Sequence, residues 1–115
     1  MHKHLLALLA LTASFAAHAN DSYKAVDAQL NKTYQEIVAR LKDDADGKKS
    51  LVDAQRAWMK FRDAECKFQA SAVDGGSAYP LAMQACLEAV TRQRVRELER
   101  YTSCEEGDLT CPVPR

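Results

Sequence analysis

The segment LVDAQRAWMKFRDAECKFQASA, residues 51–72, carries the clearest helical pattern in the chain. Its apolar positions recur at steps of three, four or seven residues, at Leu51, Ala54, Trp58, Phe61, Phe68 and Ala72. Because an α-helix has 3.6 residues per turn, these positions share one face, which predicts a helix that packs one side against a core. Ser50 and Asp53 have capping-box spacing and are one possible start of this helix.

Two similar patterns flank this segment. The one before it predicts a helix from residue 23 to residue 41, with apolar positions at Tyr23, Val26, Leu30, Tyr34, Ile37 and Leu41. The one after it follows a strong turn signal, Asp-Gly-Gly-Ser at residues 74–77, and Pro80 suits the first turn of the helix. The apolar positions of this third helix are Met83, Leu87, Val90, Leu98 and Tyr101.

Polar and helix-breaking residues separate these patterns. Residues 43–47 are polar and end in a glycine, which predicts the break between the first two helices. Gly107, Pro112 and Pro114 exclude regular helix at the end of the chain. No strand-like alternation is present, so the predicted fold class is all-α, a small antiparallel three-helix bundle.

The four cysteines predict disulfide bonds that staple this bundle. Cys66 and Cys86 each lie ten positions from Gly76, and residues equidistant from a tight turn lie at the same depth in antiparallel helices. A continuous third helix separates Cys86 from Cys104 by roughly 27 Å, which is too far for a bond. Of the three possible connectivities, Cys66–Cys86 with Cys104–Cys111 therefore fits best.

The start of the chain has the pattern of a secretory signal peptide. A short basic segment precedes apolar residues 5–17, and Ala17-His18-Ala19 is a small-x-small cleavage signal. We expect residues 1–19 to be removed, leaving a helical domain at residues 20–103 and a disulfide-closed tail at residues 104–115. The expected location is periplasmic or secreted, without a membrane anchor, because the apolar run is too short to span a bilayer.

Composition excludes several classes of function for the mature chain. All three histidines and Lys3 lie within residues 1–19, so cleavage leaves 15 basic and 16 acidic side chains. A chain without histidine has no Ser-His or Cys-His nucleophile and no His-based zinc site. A net charge near zero does not favour nucleic acid. We expect no catalytic residue, no metal and no cofactor.

The predicted register also places an aromatic centre in the bundle. Trp58 falls opposite Arg94 across the turn between the second and third helices, and opposite Tyr34 across the turn between the first and second helices. The Arg94 guanidinium is therefore expected over the indole. Arg62, Asp63 and Glu65 are expected to contribute ion pairs. The residues predicted to form the structural core are Tyr34, Trp58, Phe61, Arg62, Arg94 and Leu98.

Three segments carry a resemblance to a known family: AQRAWMKFRDAEC (54–66), GGS (75–77) and CLEAVTRQRVREL (86–98). The sequence resembles the LprI-type lysozyme inhibitor N-terminal domain family over nearly all of the mature chain. The matching positions are Trp58, Arg62, Cys66, Cys86, Thr91, Arg94 and Leu98. The resemblance implies a small secreted or periplasmic helical protein with a protein partner, lysozyme. The named inhibitor type is a lipoprotein, whereas no lipid-accepting cysteine stands at Asn20 here.

The segment CEEGDLTC, residues 104–111, is the strongest candidate for partner binding. A Cys104–Cys111 bond makes it a ring that presents three acidic side chains, Glu105, Glu106 and Asp108. A rigid acidic ring would be steered toward a basic lysozyme and could block its cleft. The alternative is that the bond only tethers the tail.

Two functions therefore remain open from the sequence, and an enzyme that uses carboxylates alone is a weaker third. The first is a non-enzymatic lysozyme (muramidase) inhibitor that acts through a protein–protein interface. The second is an envelope interaction domain or toxin-neutralising protein with a non-lysozyme partner. The sequence makes no prediction of oligomeric state.

Overall fold

The computed structural model describes the backbone of residues 6–114 and the side chains of residues 21–114. In chain order the elements are helix α1 (Leu6–Arg40), helix α2 (Ala45–Ala70), a short 3₁₀ turn (Ser71–Val73) and helix α3 (Tyr79–Thr102). A tail without regular structure follows, and the described residues contain no strand. The all-α three-helix prediction is confirmed. The predicted signal peptide, residues 1–19, lies outside the described side chains and stays a prediction.

The break between α1 and α2 is shorter than the sequence predicted. Asp44 is the N-cap of α2, and its Oδ1 accepts a hydrogen bond of 2.8 Å from the Gly47 backbone N–H. Gly47 therefore lies in the first turn of α2 and not in the break, and Ser50 is not the start of the helix. A Cβ at Gly47 would collide with the Asp44 carboxylate, so the glycine leaves room for the cap.

The turn between α2 and α3 agrees with the sequence. Gly75 has a φ of +75°, in the left-handed region that glycine adopts without strain. Pro80 lies at the start of α3, where its missing N–H leaves no helical hydrogen bond unmade. This connection turns the chain back sharply, so α3 runs antiparallel to α2.

The core lies mainly between α1 and α3, and α3 packs against both of the other helices. Its buried apolar residues are Val26, Leu30, Ile37 and Leu41 from α1, Val95 and Leu98 from α3, and Val113 from the tail. Tyr34, Leu51 and Trp58 are partly buried and pack against this cluster. The apolar stripe predicted for α1 thus supplies most of one wall of the core.

The prediction that Phe61 belongs to the core is wrong. Phe61 is 57% exposed and Phe68 is 74% exposed, whereas the buried positions of α2 are Gln55, Cys66 and Ala70. Five residues at about 100° each place Phe61 some 140° around the helix from Cys66. The apolar residues of α2 thus cover a wider face than the one that is buried. The disulfide bond from Cys66 to α3 turns the Cys66 side of the helix toward the core and leaves Phe61 outside.

Both predicted disulfide bonds are present. Cys66 and Cys86 join α2 to α3 with their Cα atoms 5.4 Å apart, and Cys104 and Cys111 close the tail segment with Cα atoms 6.1 Å apart. Both distances lie within the usual range of about 4.4–6.8 Å. Cys66 is completely buried, so the first bond is part of the interior.

Candidate functional site

A cluster of two arginines around Trp58 joins the three helices. The guanidinium carbon of Arg94 lies 5.9 Å from the indole centroid, in the arrangement that the register predicts, and that of Arg62 lies 5.1 Å from it. Arg62 is one helical turn after Trp58, so its position follows from local spacing. Arg94 Nε donates to Gln55 Oε1 at 3.1 Å and thereby links α3 to α2.

The Arg62 side chain links α2 to α1. Its Nε donates to Asp63 Oδ1 at 3.0 Å, and its Nη1 lies 4.0 Å from Asp27 Oδ1 on α1. Burial raises the pKa of the nearby Tyr23 phenol, an effect that the positive charge of Arg62 partly offsets. Glu65 instead accepts a hydrogen bond from Gln69. These contacts hold helices together, and they give the WMKFRDAEC stretch (58–66) a structural role.

The acidic ring, residues 104–111, is ordered by its own hydrogen bonds. Asp108 Oδ1 accepts from the Thr110 hydroxyl at 2.7 Å and from the Thr110 backbone N–H at 2.8 Å. These bonds hold the pKa of Asp108 below its usual value, the hydroxyl having the larger effect. Gly107 has a φ of +85°, which lets the chain turn sharply.

The ring presents its charged side chains to solvent. Glu105, Glu106 and Asp108 are all exposed, and Leu109 is 100% exposed. A cleft of about 390 Å³ lies between the ring and the end of α3, where Arg100 contributes a positive charge. Beyond the ring, Val113 is buried in the core, which agrees with the alternative that the bond also tethers the tail.

A groove between α1 and α2 was not foreseen in the sequence. The α1–α2 groove has a volume of about 550 Å³, and Tyr23, Asp27 and Tyr34 of α1 face Gln55 and Arg62 of α2 across it. It exists because α1 and α2 both pack against α3 rather than tightly against each other. Helical spacing indicates which residues share a face but not how far apart two helices lie, so no sequence signal marks this groove.

A second cleft lies at one end of the bundle. This end cleft, of about 330 Å³, is bounded by the last turns of α1, the first turns of α2, Arg94 and Tyr101 of α3, and the tail residues Pro112 and Val113. Its walls are mostly apolar. It is also unforeseen in the sequence, because the tail that closes one side has no periodic pattern.

Two other features are absent from the part of the chain that the structure describes. No cluster of three or more His, Cys, Asp or Glu side chains is arranged to hold a metal ion. None of the helices has a stretch long and apolar enough to cross a membrane.

Comparison with known proteins identifies the family. A sequence model described as "Lysozyme inhibitor LprI" matches residues 10–98. An uncharacterized protein of Rhizobium meliloti strain 1021 is 35% identical, over 77% of this chain and 72% of that protein. The uncharacterized protein YecT of Escherichia coli strain K12 is 32% identical, over 73% of this chain and 60% of that protein.

A solved structure shows the same fold. The crystal structure of a DUF1311 family protein from Pseudomonas putida KT2440 matches with a TM-score of 0.71 at 25% sequence identity. The match covers 78% of this chain and 92% of that chain. DUF1311 and LprI denote the same family. Because the family match spans most of the three-helix domain, including the Trp58 cluster and the Cys66–Cys86 bond, the chain belongs to the LprI family.

Proposed function

We propose that this protein is a non-enzymatic inhibitor of lysozyme-type muramidases, acting in the periplasm or after secretion through a protein–protein interface. The match of residues 10–98 to the lysozyme inhibitor LprI family carries this proposal. Two structural disulfide bonds support an oxidising compartment. Cleavage after Ala19 is tested by N-terminal sequencing of the protein from a periplasmic fraction, where the expected first residue is Asn20.

The acidic ring supplies a suitable contact surface for a basic enzyme. Its three carboxylates are solvent-exposed and held on a closed loop, so little conformational entropy is lost on binding. Opposite charge accelerates encounter with a basic partner. The fully exposed Leu109 beside these charges offers an apolar group for the interior of the enzyme cleft. Repulsion by the catalytic carboxylates of a muramidase works against the acids, so the basic rim of the cleft must supply most of the attraction.

The position of the ring relative to the family match separates two versions of the proposal. The ring starts at Cys104, whereas the match ends at residue 98. Inhibition through the ring would therefore use a segment outside the matched family region. Inhibition through the helical domain, where the α1–α2 groove offers a cleft of about 550 Å³, would use the fold that the family match covers.

The test is inhibition of cell-wall hydrolysis by a panel of purified lysozymes. The double variant Glu105→Gln, Glu106→Gln removes two ring charges without touching the Asp108 hydrogen bonds. Its matched control, Asp43→Asn, Asp74→Asn, removes two exposed charges elsewhere. We expect the ring variant to raise the inhibition constant about tenfold or more at low salt, and the control to change it less than twofold.

Each other result has a definite meaning. Unchanged hydrolysis at 100 µM protein with every lysozyme would reject lysozyme inhibition. An equal loss of inhibition in the ring variant and in the control would show that net charge, not the ring, attracts the enzyme. Inhibition that neither variant weakens would move the contact to the helical domain.

A second candidate function is an envelope interaction domain or toxin-neutralising protein with a non-lysozyme partner. The exposed aromatic side chains Phe61 and Phe68 favour it, because large exposed apolar groups often mark interaction surfaces. Both lie within the segment shared with the family. Capture from an envelope extract should then depend on these two residues: a partner held by the wild type and lost with Phe61→Ala, Phe68→Ala supports this function, and equal capture by both argues against it.

A further inference from the structure

We propose that the end cleft is a binding site for a small monocarboxylate with an apolar body, such as a medium-chain fatty acid. This inference does not depend on the proposed inhibition of lysozyme. Three features of the cleft lead to it: its apolar walls, the partly unused guanidinium of Arg94, and its size.

The walls of the end cleft suit a hydrocarbon body. Seven of its lining residues have apolar side chains or an aromatic ring: Ile37, Leu41, Leu51, Ala54, Tyr101, Pro112 and Val113. Ile37, Leu41 and Val113 also belong to the buried core, so the cleft reaches down to the interior of the bundle. An apolar ligand here removes both its own surface and that of these side chains from water, which favours binding.

Arg94 supplies the polar anchor of the site. Its side chain is only 12% exposed and lines the cleft. Nε donates to Gln55 and Nη1 donates to Glu97 Oε2 at 3.0 Å, whereas Nη2 donates to no acceptor among residues 21–114. A guanidinium carries five N–H donors, and its planar fork matches a carboxylate. The unused donors of Nη2 are therefore available to the head group of an anionic ligand.

The charges around Arg94 leave this anchor effective. Glu97 is 42% exposed, so solvent weakens its attraction for the guanidinium. Among the described residues, Asp44 is the only acidic one in the lining of the end cleft. It caps the N-terminus of α2, where the helix dipole offsets its charge. An anionic head group is thus favoured on the Arg94 side of the cleft, with its apolar body against Leu51 and Val113.

The volume limits the size of the ligand. A cleft of about 330 Å³ is at the lower end of the range, about 300–1,000 Å³, of small-molecule sites. At about 30 Å³ for each water-sized group, it holds roughly eleven non-hydrogen atoms. Octanoate, which has ten, matches this limit and is a suitable probe.

The test compares octanoate with 1-octanol, which has the same chain and no charge, by methyl-region NMR titration of the whole protein. We expect octanoate to shift the methyl signals of Ile37, Leu51 and Val113 in a saturable way. Its affinity should be at least tenfold higher than that of octanol, equivalent to about 1.4 kcal/mol. Arg94→Gln should remove this preference, and Arg96→Gln, an exposed arginine two residues away, should keep it.

A second pair of variants tests the cleft without touching the arginine cluster. Ala54→Leu fills the cleft from its rim, and Ala57→Leu makes the same change at an exposed α2 position outside the lining. Ala54→Leu should abolish binding, and Ala57→Leu should leave it within twofold. The proposal is overturned if octanoate up to 10 mM shifts no methyl signal in the end cleft, if octanol binds equally well, or if Ala54→Leu binds as tightly as the wild type.

Discussion

Thr91 is the most unusual residue of the interior. It is completely buried in α3, and its hydroxyl oxygen has no hydrogen-bond partner among the described residues. An unsatisfied buried polar group costs about 1–3 kcal/mol. We predict that Thr91→Val, which keeps the shape and removes the hydroxyl, raises the free energy of unfolding by about 1 kcal/mol in urea titration. Thr91→Ala, which leaves a cavity, should lower it, and a loss of stability in both variants would contradict the prediction.

Asp108 is the residue of the acidic ring whose titration the structure alters. Because the Thr110 hydroxyl and N–H bind its ionised form, its folded pKa lies below the ordinary value of 3.8. The ionised carboxylate therefore stabilises the ordered ring at pH values above the pKa that Asp108 has in the unfolded chain. This stabilisation is lost as the pH falls through the lower pKa that Asp108 has in the folded protein. We predict that NMR titration gives Asp108 a pKa below the ordinary aspartate value, and that Thr110→Val raises it while Thr110→Ser does not. An unchanged Asp108 pKa in Thr110→Val would show that the Thr110 hydroxyl is not what lowers it.

At the scale of a helix, α2 depends on its first turn. Asp44 caps the helix through Gly47, and substitution of an N-cap aspartate by alanine typically costs about 1 kcal/mol. We predict that Asp44→Ala lowers the free energy of unfolding by about this amount, measured in urea. The neighbouring Asp43→Ala is the control and should change it by less than about 0.5 kcal/mol. Equal effects of the two substitutions would show that charge, not capping, is responsible.

The faces of the helices were only partly predictable. Spacing placed Val26, Leu30 and Ile37 correctly in the core, because α1 buries one narrow stripe. On α2 the same reasoning failed for Phe61, since apolar residues cover more than one face and periodicity does not rank those faces. Gln55 was missed for the opposite reason: it is polar, and it is buried because Arg94 of another helix binds it.

At the scale of the whole molecule, the two disulfide bonds have different tasks. Cys66–Cys86 spans 20 positions and joins two helices, whereas Cys104–Cys111 spans seven and closes the acidic ring. We predict that replacing Cys66 and Cys86 with alanine lowers the free energy of unfolding by about 3 kcal/mol. Replacing Cys104 and Cys111 should cost less, because the shorter loop constrains the unfolded chain less.

Urea unfolding followed by circular dichroism separates these effects. The variant without Cys104–Cys111 should keep its helical signal, because only the ring is released. Its Asp108 pKa, measured by NMR, should rise toward the ordinary aspartate value. If the free energy of unfolding falls by less than about 1 kcal/mol in the variant without Cys66–Cys86, packing alone holds α2 against α3.

Local patterns in the sequence were sufficient for the three helices, the turn before α3 and both cysteine pairings, because each depends on residues whose spacing along the chain sets their geometry. The register across the turns also placed Arg94 over Trp58. The outward position of Phe61, the α1–α2 groove and the end cleft depended on the distances and rotations between packed helices. These are set by contacts between residues far apart in the chain, such as Arg94 with Gln55 and Val113 with the core, and no local pattern records them.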